Sequence, residues 1–483
     1  MIWSVVQQIG GQVATMIVYF ALAALLPPRD FGLLGMAGAW LAVLNAFCES
    51  GFGAALIQRE QLRGEHLSST FAVNLAVGAA LTLLGITLSY PASRFFSTPE
   101  LQPVMAVLSL AFLVRAVGLT QVALAQRELR FRALAVRDVS ANVLGGATGL
   151  ALALAGYGVW SLVGMTLVNG FVATAMVWRL GQWRPRLSEV SRQAVAELWP
   201  YSSRMLGFNL FKAFAQNIDR MIIGRLLGVH ALGLYAFASK SVIYPVTTFV
   251  GSLGAYLFPR ISRLQSDAVR VKVIYRAVLI AVLNVVFPLL AGLVALAPSV
   301  IPILGEQWRE AVPLIQILAM AALAQAIISP VGQIMKGLGR PGWLVTWSVG
   351  FTLVTGVALW IGAAGGLRGA SIGYVIAHAL ALPTSLLIGW RLTGIGAAEV
   401  VRIAWRPAAA AAALGLALSL ASRYAAAWSR PTLVVGALAL GMLYFAVVAR
   451  LNPEFVRLAG RELGKLRPRG EKPASVAGVP PRG

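Results

Sequence analysis

Residues 277–297 read AVLIAVLNVVFPLLAGLVALA, 21 residues without a charge and with one amide. A span needs about 20 apolar residues to cross a hydrocarbon core of about 30 Å, and this stretch has that length. Working outward from it, thirteen more such stretches appear between Gly, Pro and charge punctuation: 4–26, 33–57, 69–90, 103–124, 139–155, 159–178, 200–223, 230–257, 312–335, 342–363, 369–390, 407–422 and 431–449. They are about twice the length of a barrel strand and lack its period-two alternation. The reading is an all-α integral membrane protein of about 14 transmembrane helices. Composition agrees, with 58% hydrophobic and 12% charged residues and a mean hydropathy of +0.78. Several Trp residues, among them Trp3, Trp160, Trp178, Trp199, Trp343, Trp390, Trp405 and Trp428, fall near span ends, where the amphipathic ring prefers the headgroup level. Trp40 and Trp360 read instead as core residues.

Basic residues fix the orientation. Of the 40 Lys and Arg, 28 fall in the even-numbered gaps and the C-terminal tail, seven in the odd-numbered gaps and five inside spans. The positive-inside rule therefore places both termini in the cytoplasm. The net charge of +23 then marks the cytoplasmic face and its anionic membrane lipids, and implies no nucleic-acid partner. A lone Cys48 excludes an intrachain disulfide and a cysteine metal cluster. The first apolar stretch has no basic n-region and is long enough to span, so it reads as a helix and not as a cleavable leader.

The chain also matches itself. Shifted by 201 residues, 25–59 aligns with 226–260 without a gap, pairing Gly32 with Gly233, Gly53 with Gly254 and Arg59 with Arg260 among nine matches in 35 positions. The offset lays span 7 over span 1 and predicts two six-helix lobes in parallel tandem repeat, 1–198 and 199–395. Two additional helices (396–450) and a basic, disordered cytoplasmic tail (451–483) follow. Duplicated bundles of this kind are an architecture of secondary transporters, which rock one half against the other around a midplane site.

Two segments carry a resemblance: Leu25 to Gly35, LLPPRDFGLLG, and Asn217 to Lys240, NIDRMIIGRLLGVHALGLYAFASK. They resemble the bacterial polysaccharide transporter family, oligosaccharide repeat-unit flippases of the superfamily that also contains the multidrug and toxin extruders. The resemblance implies a flippase for undecaprenyl-pyrophosphate-linked oligosaccharide, working from the cytoplasmic to the periplasmic leaflet of the bacterial inner membrane. Its product would feed O-antigen, capsule or exopolysaccharide synthesis, alongside a polysaccharide polymerase and export machinery.

The residues supply a matching chemistry. Charges inside spans are costly and mark function by default; here the bases are Arg115, Arg204, Lys212, Arg220 and Lys240. Arg204, Phe208, Lys212, Gln216 and Asp219 follow steps of four, four, four and three, which put them on one helical face. Such a stripe should face the cavity between lobes, with Arg115 reaching it from the first lobe. A diphosphate head suits an Arg fork and a Lys point charge. The bland alternative has Asp219 clamped to Arg220 or Lys240 and Arg204 snorkelling to the interface. Glu49 and Asp219 are the acids inside spans, either partners for those bases or sites for an H⁺ or Na⁺ coupling ion. Asp138 stands at the rim of span 5, and His378 reads as a core histidine before a proton relay. No resident cofactor or metal is implied.

Among rival classes, a polysaccharide polymerase or lipid-linked ligase would need a sizeable extracytoplasmic loop, yet the longest odd-numbered gaps, 91–102 and 298–311, hold no paired carboxylates or nucleophile set. The chain reads as non-enzymatic. A multidrug or organic-cation antiporter would line its cavity with acids and aromatics; five internal bases against two acids argue for an anionic cargo. A peptidoglycan lipid-precursor flippase, handling the same diphosphate lipid, stays open.

Overall fold

The structure, a computed structural model, describes residues 11–48, 52–59, 61–424, 444 and 450. Apart from short 3₁₀ turns, its regular elements are helices: α1 (Gly11–Leu25), α2 (Pro28–Cys48), α3 (Phe52–Gln58), α4 (Gly64–Phe95), α5 (Leu101–Arg127), α6 (Phe131–Leu154) and α7 (Val159–Leu180) in the first half. The rest contributes α8 (Arg192–Ala215), α9 (Ile218–Arg263), α10 (Ala268–Val300), α11 (Ala311–Gly337), α12 (Pro341–Ala363), α13 (Gly366–Thr393) and α14 (Ala397–Tyr424). Ten described helices are long and apolar enough to cross a membrane, and Thr15–Leu25 is apolar but shorter. The stretch 431–449, Glu49 and the tail from residue 451 lie outside the described residues, Tyr444 excepted.

The same packing recurs in both halves. In the first, α4 packs on α5, α6 on α7, α5 on α7, α1 on α6 and α2 on α5. In the second, α10 packs on α11, α12 on α13, α11 on α13, and α9 on both α12 and α11. The halves meet chiefly where α2 crosses α9. A Cβ added to Gly32 would collide with the backbone carbonyl of Val229, and one added to Gly233 with that of Pro28. All four residues obey the 201-residue offset, so the sequence repeat is also a repeat of contacts. Absence of side chains is what lets the two backbones approach.

Each half turns at the equivalent place by different means. Pro27 and Pro28 separate α1 from α2, whereas Gly228, with φ of 82° and ψ of −179°, interrupts α9. Only glycine adopts that conformation readily.

Beside the crossing, a 3₁₀ turn (Glu306–Trp308) inserts Trp308 into the junction. Its Nε1–H donates to the Ala23 carbonyl at 2.6 Å, and its ring meets Phe31 and Phe237. A buried indole needs such an acceptor.

Exposed apolar residues are the expected lipid face of a bundle without water around it. On α12, Leu353, Val357 and Trp360 recur at helical spacing and are 63%, 57% and 66% exposed. This corrects the core reading of Trp360: it completes an outward stripe.

The first half also holds the start of α8, which packs on α2, α3 and α4. Glu197 of α8 pairs with Arg59, with Arg63 at 3.8 Å and with His66 Nε2 at 3.2 Å. The Arg63 backbone N–H donates to His66 Nδ1, so the ring hydrogen sits on Nε2 and donates to the carboxylate.

Candidate functional site

Asn217 shapes the site. It sits between α8 and α9, where its side-chain Nδ2 donates to the Ala213 carbonyl at 2.8 Å and its backbone N–H bonds three residues back, to Phe214. A side chain competing for a helical carbonyl in this way interrupts the helix. The stripe expected on one unbroken face from Arg204 to Asp219 is therefore split at Gln216 and Asn217. The other end of the Asn217 amide, Oδ1, accepts from Arg220 Nη1 at 3.1 Å.

Around this break lies a cavity of about 630 Å³. Asp219, Arg220 and Lys240 line it from α9, Gly38 and Ala42 from α2, Gln325 from α11, and Phe351, Thr352, Thr355 and Tyr374 from α12 and α13. Asp219 accepts a hydrogen bond from the Tyr235 hydroxyl through Oδ2 at 2.9 Å, while its buried Oδ1 has no hydrogen-bond partner. Lys240 Nζ stands 4.5 Å from the ring centroid of Tyr19 and 5.6 Å from that of Tyr244. Among the described residues, neither Arg220 nor Lys240 has a carboxylate at ion-pairing distance. The cavity thus carries two cations to one acid, and the cations are held by an amide and by aromatic faces, partners that an anion can displace.

The other sequence-derived candidates lie further out. Arg115 Nη1 donates to Asn45 Oδ1 at 3.2 Å, and Asn45 shares a face of α2 with Gly38 and Ala42. Lys212, in the last turn of α8, is exposed and close enough for its charge to act on Lys336 of α11. Arg204 lies within α8, but its side chain is not among those described, and Glu49 is outside the described residues. Asp138 pairs with its neighbour Arg137 at 2.6 Å. Among the described residues, no group of three or more His, Cys, Asp or Glu side chains gathers as metal ligands would.

Sequence reasoning missed a second feature. A groove of about 690 Å³ runs between α1, α9, α10 and α14, lined by Phe20, Ser241, Leu289, Leu293, Leu414 and Leu418 among other mostly apolar residues. Consecutive residues divide it from the cavity. On α1, Tyr19 lies under Lys240 while Phe20 faces the groove; on α9, Lys240 lines the cavity while Ser241 lines the groove. A charged chamber and an apolar trough therefore flank one seam between α1 and α9. Neither Tyr19–Phe20 nor Lys240–Ser241 marks the division in sequence, because the tertiary fold decides which neighbour meets which space.

A duplicated helical membrane bundle with a charged chamber where its halves meet is a transporter architecture. The chain belongs to the polysaccharide biosynthesis protein family, whose model matches residues 21–313. It is 27% identical over 391 residues to the succinoglycan biosynthesis transport protein ExoT of Rhizobium meliloti (strain 1021), covering 79% of this chain and 77% of that one. To the lipopolysaccharide biosynthesis protein WzxC of Escherichia coli (strain K12) it is 25% identical over 364 residues, covering 74% and 73%. The fold superposes on the lipid II flippase MurJ in an inward closed conformation with a TM-score of 0.71 at 10% identity, covering 96% of this chain and 99% of that one.

Proposed function

We propose that this protein is a flippase for undecaprenyl-diphosphate-linked oligosaccharide repeat units, serving O-antigen, capsule or exopolysaccharide synthesis. The observation that carries the reading is the seam between α1 and α9, with Lys240 on its charged side and Ser241 on its apolar side. A cargo that fits both sides at once has an anionic head and a long hydrocarbon tail. Polysaccharide-linked names among the relatives add a sugar between the two.

The diphosphate binds Lys240 and Arg220, displacing Lys240 from the Tyr19 ring, while the prenyl chain lies in the groove and the sugars occupy the cavity. An Arg fork and a Lys point charge match phosphate oxygens. Thr, Asn and Gln side chains offer donors and acceptors to sugar hydroxyls. Reorientation of lobes 1–198 and 199–395 about the α2/α9 crossing then exposes the head to the other leaflet. The cycle runs in the bacterial inner membrane with both termini cytoplasmic, a reading that the basic gaps support. It transports and performs no bond chemistry, with H⁺ or Na⁺ as candidate coupling ions, and supplies a polymerase and export machinery downstream. An organic-cation antiporter fits a two-to-one cationic cavity poorly.

The test is flipping in proteoliposomes loaded with an undecaprenyl-diphosphate oligosaccharide, scored by access of an external lectin, with lipid II and an organic cation in parallel. Lectin access lost in Lys240→Ala is the expected result. Movement of lipid II without the oligosaccharide would reassign the protein to peptidoglycan precursor transport, and cation efflux alone would refute an anionic cargo.

A further inference from the structure

Behind the cavity wall, in contact with the lining residues Gln325, Phe351 and Tyr374, lies a buried histidine. His378 of α13 is 1% exposed, with Nδ1 2.9 Å from the Tyr374 carbonyl and Nε2 3.1 Å from Gln325 Oε1. A backbone carbonyl only accepts, so Nδ1 carries a hydrogen whatever the charge of the ring. Nε2 is then an acceptor in the neutral ring and a donor in the imidazolium. Gln325 has one group of each kind. With Oε1 toward the ring, as here, the amide matches the imidazolium; the neutral ring requires the amide turned over, so that its NH₂ donates to Nε2.

Gln325 also lines the cavity, so whichever end His378 does not engage is left for a bound molecule. We infer that Gln325 contacts the polar head of the cargo and that His378 sets its polarity. A protonated ring leaves the NH₂ to donate to a phosphate or sugar oxygen; a neutral ring leaves the carbonyl to accept from a hydroxyl. A diphosphate offers only acceptors and therefore selects the protonated pair. By linkage, binding the head takes up a proton at this position. The inference rests on the flippase reading of the cavity.

The surroundings permit this. Phe351 of α12 meets the imidazole edge-on at 5.0 Å, and the Tyr374 ring lies 4.4 Å away. Tyr374 in turn meets Tyr235 of α9, which donates to Asp219, and both Asp219 and Arg220 act electrostatically on Tyr374. Tyr275 of α10 lies beside Gly389 of α13, three turns along from His378. Gln325 is thus the cavity-lining side chain that hydrogen-bonds the imidazole.

The experiment measures the affinity of the full chain in lipid nanodiscs for farnesyl diphosphate between about pH 5.5 and 8. The probe's own titration is common to all variants, so the difference from wild type isolates the pair. Wild type should weaken with rising pH more steeply than His378→Asn and Gln325→Leu, the excess approaching tenfold per pH unit once the ring is neutral. Titration in two buffers of different ionisation enthalpy should show extra proton uptake in wild type alone. Equal slopes and equal proton uptake in wild type and Gln325→Leu would overturn the inference while leaving the flippase reading intact. Failure of wild type to bind any prenyl diphosphate would bring down both.

Discussion

Gly32 and Gly233 are each other's counterpart twice over: they coincide at the 201-residue offset, and each lies against the carbonyl of the residue that begins the opposing helical segment, Val229 or Pro28. The contact between the halves is thereby as close as two backbones allow, and it is reciprocal.

Gly32→Ala and Gly233→Ala should each separate the halves at this point. Inserting a methyl against backbone costs about 1–3 kcal/mol in a packed interior, so both variants should melt earlier in detergent and transport at least tenfold less. Gly251→Ala, on the same α9 but with nothing within 4 Å of its added Cβ, is the control. Wild-type melting of Gly233→Ala would mean that the crossing relaxes freely.

Lys240→Ala and Arg220→Ala should each reduce transport at least tenfold at normal membrane abundance, and Lys240→Arg should keep part of it. Lys212→Ala and Arg115→Ala test the outlying cations of the same path and should have smaller effects. Full flipping in all four alanine variants contradicts a cationic head-group site.

Gly292→Trp should fill the apolar groove beside Leu418, to which its Cβ would come within 3.9 Å. Transport of a full-length undecaprenyl carrier should fall more than that of a short-chain analogue measured in the same vesicles. Equal losses for both chain lengths would disconnect the groove from the tail.

Trp308→Ala removes a fully buried indole and leaves the Ala23 carbonyl unpaired. Truncations of this size cost about 3–5 kcal/mol, so a large fall in melting temperature is expected, with Trp308→Phe intermediate. Unaltered melting of Trp308→Ala would show that the aromatic insertion is not a structural tie.

The His66 N–H, with the Arg59 and Arg63 guanidiniums, holds the Glu197 carboxyl below the usual carboxylate range, against the opposing effect of its partial burial. Because the folded value lies below the unfolded one, this contribution is complete above the ordinary carboxylate value and disappears as pH falls through the lowered one. Wild type should therefore lose its stability advantage over Glu197→Gln on acidification below about pH 4. A difference independent of pH would assign the effect to packing.

Much of this was legible in the chain. Long uncharged stretches dictate helices, and Gly32 and Gly233, matched at the 201-residue offset, meet in the reciprocal contact of α2 with α9. Asp219, Arg220 and Lys240, singled out as charges in apolar sequence, line one cavity. What could not be read depends on contacts between distant positions. Trp308 and Ala23 are 285 residues apart, and nothing near either names the other. Arg59 and Arg63 looked like topology signals alone because Glu197, their partner, belongs to α8. The stripe through Lys212 is not a single face because the Asn217 side chain takes over the Ala213 carbonyl, which periodicity does not register.

Pyrrolidine rings fix the backbone of Pro27 and Pro28 at one torsion, whereas Gly228 holds a conformation from which it alone can easily depart. The two halves therefore match in contact and differ in the residue that makes the turn. The first half turns on a bend whose φ the rings fix, and the second, which bears Asp219, Arg220 and Lys240 on either side of Gly228, turns on the residue with the widest choice of backbone torsions.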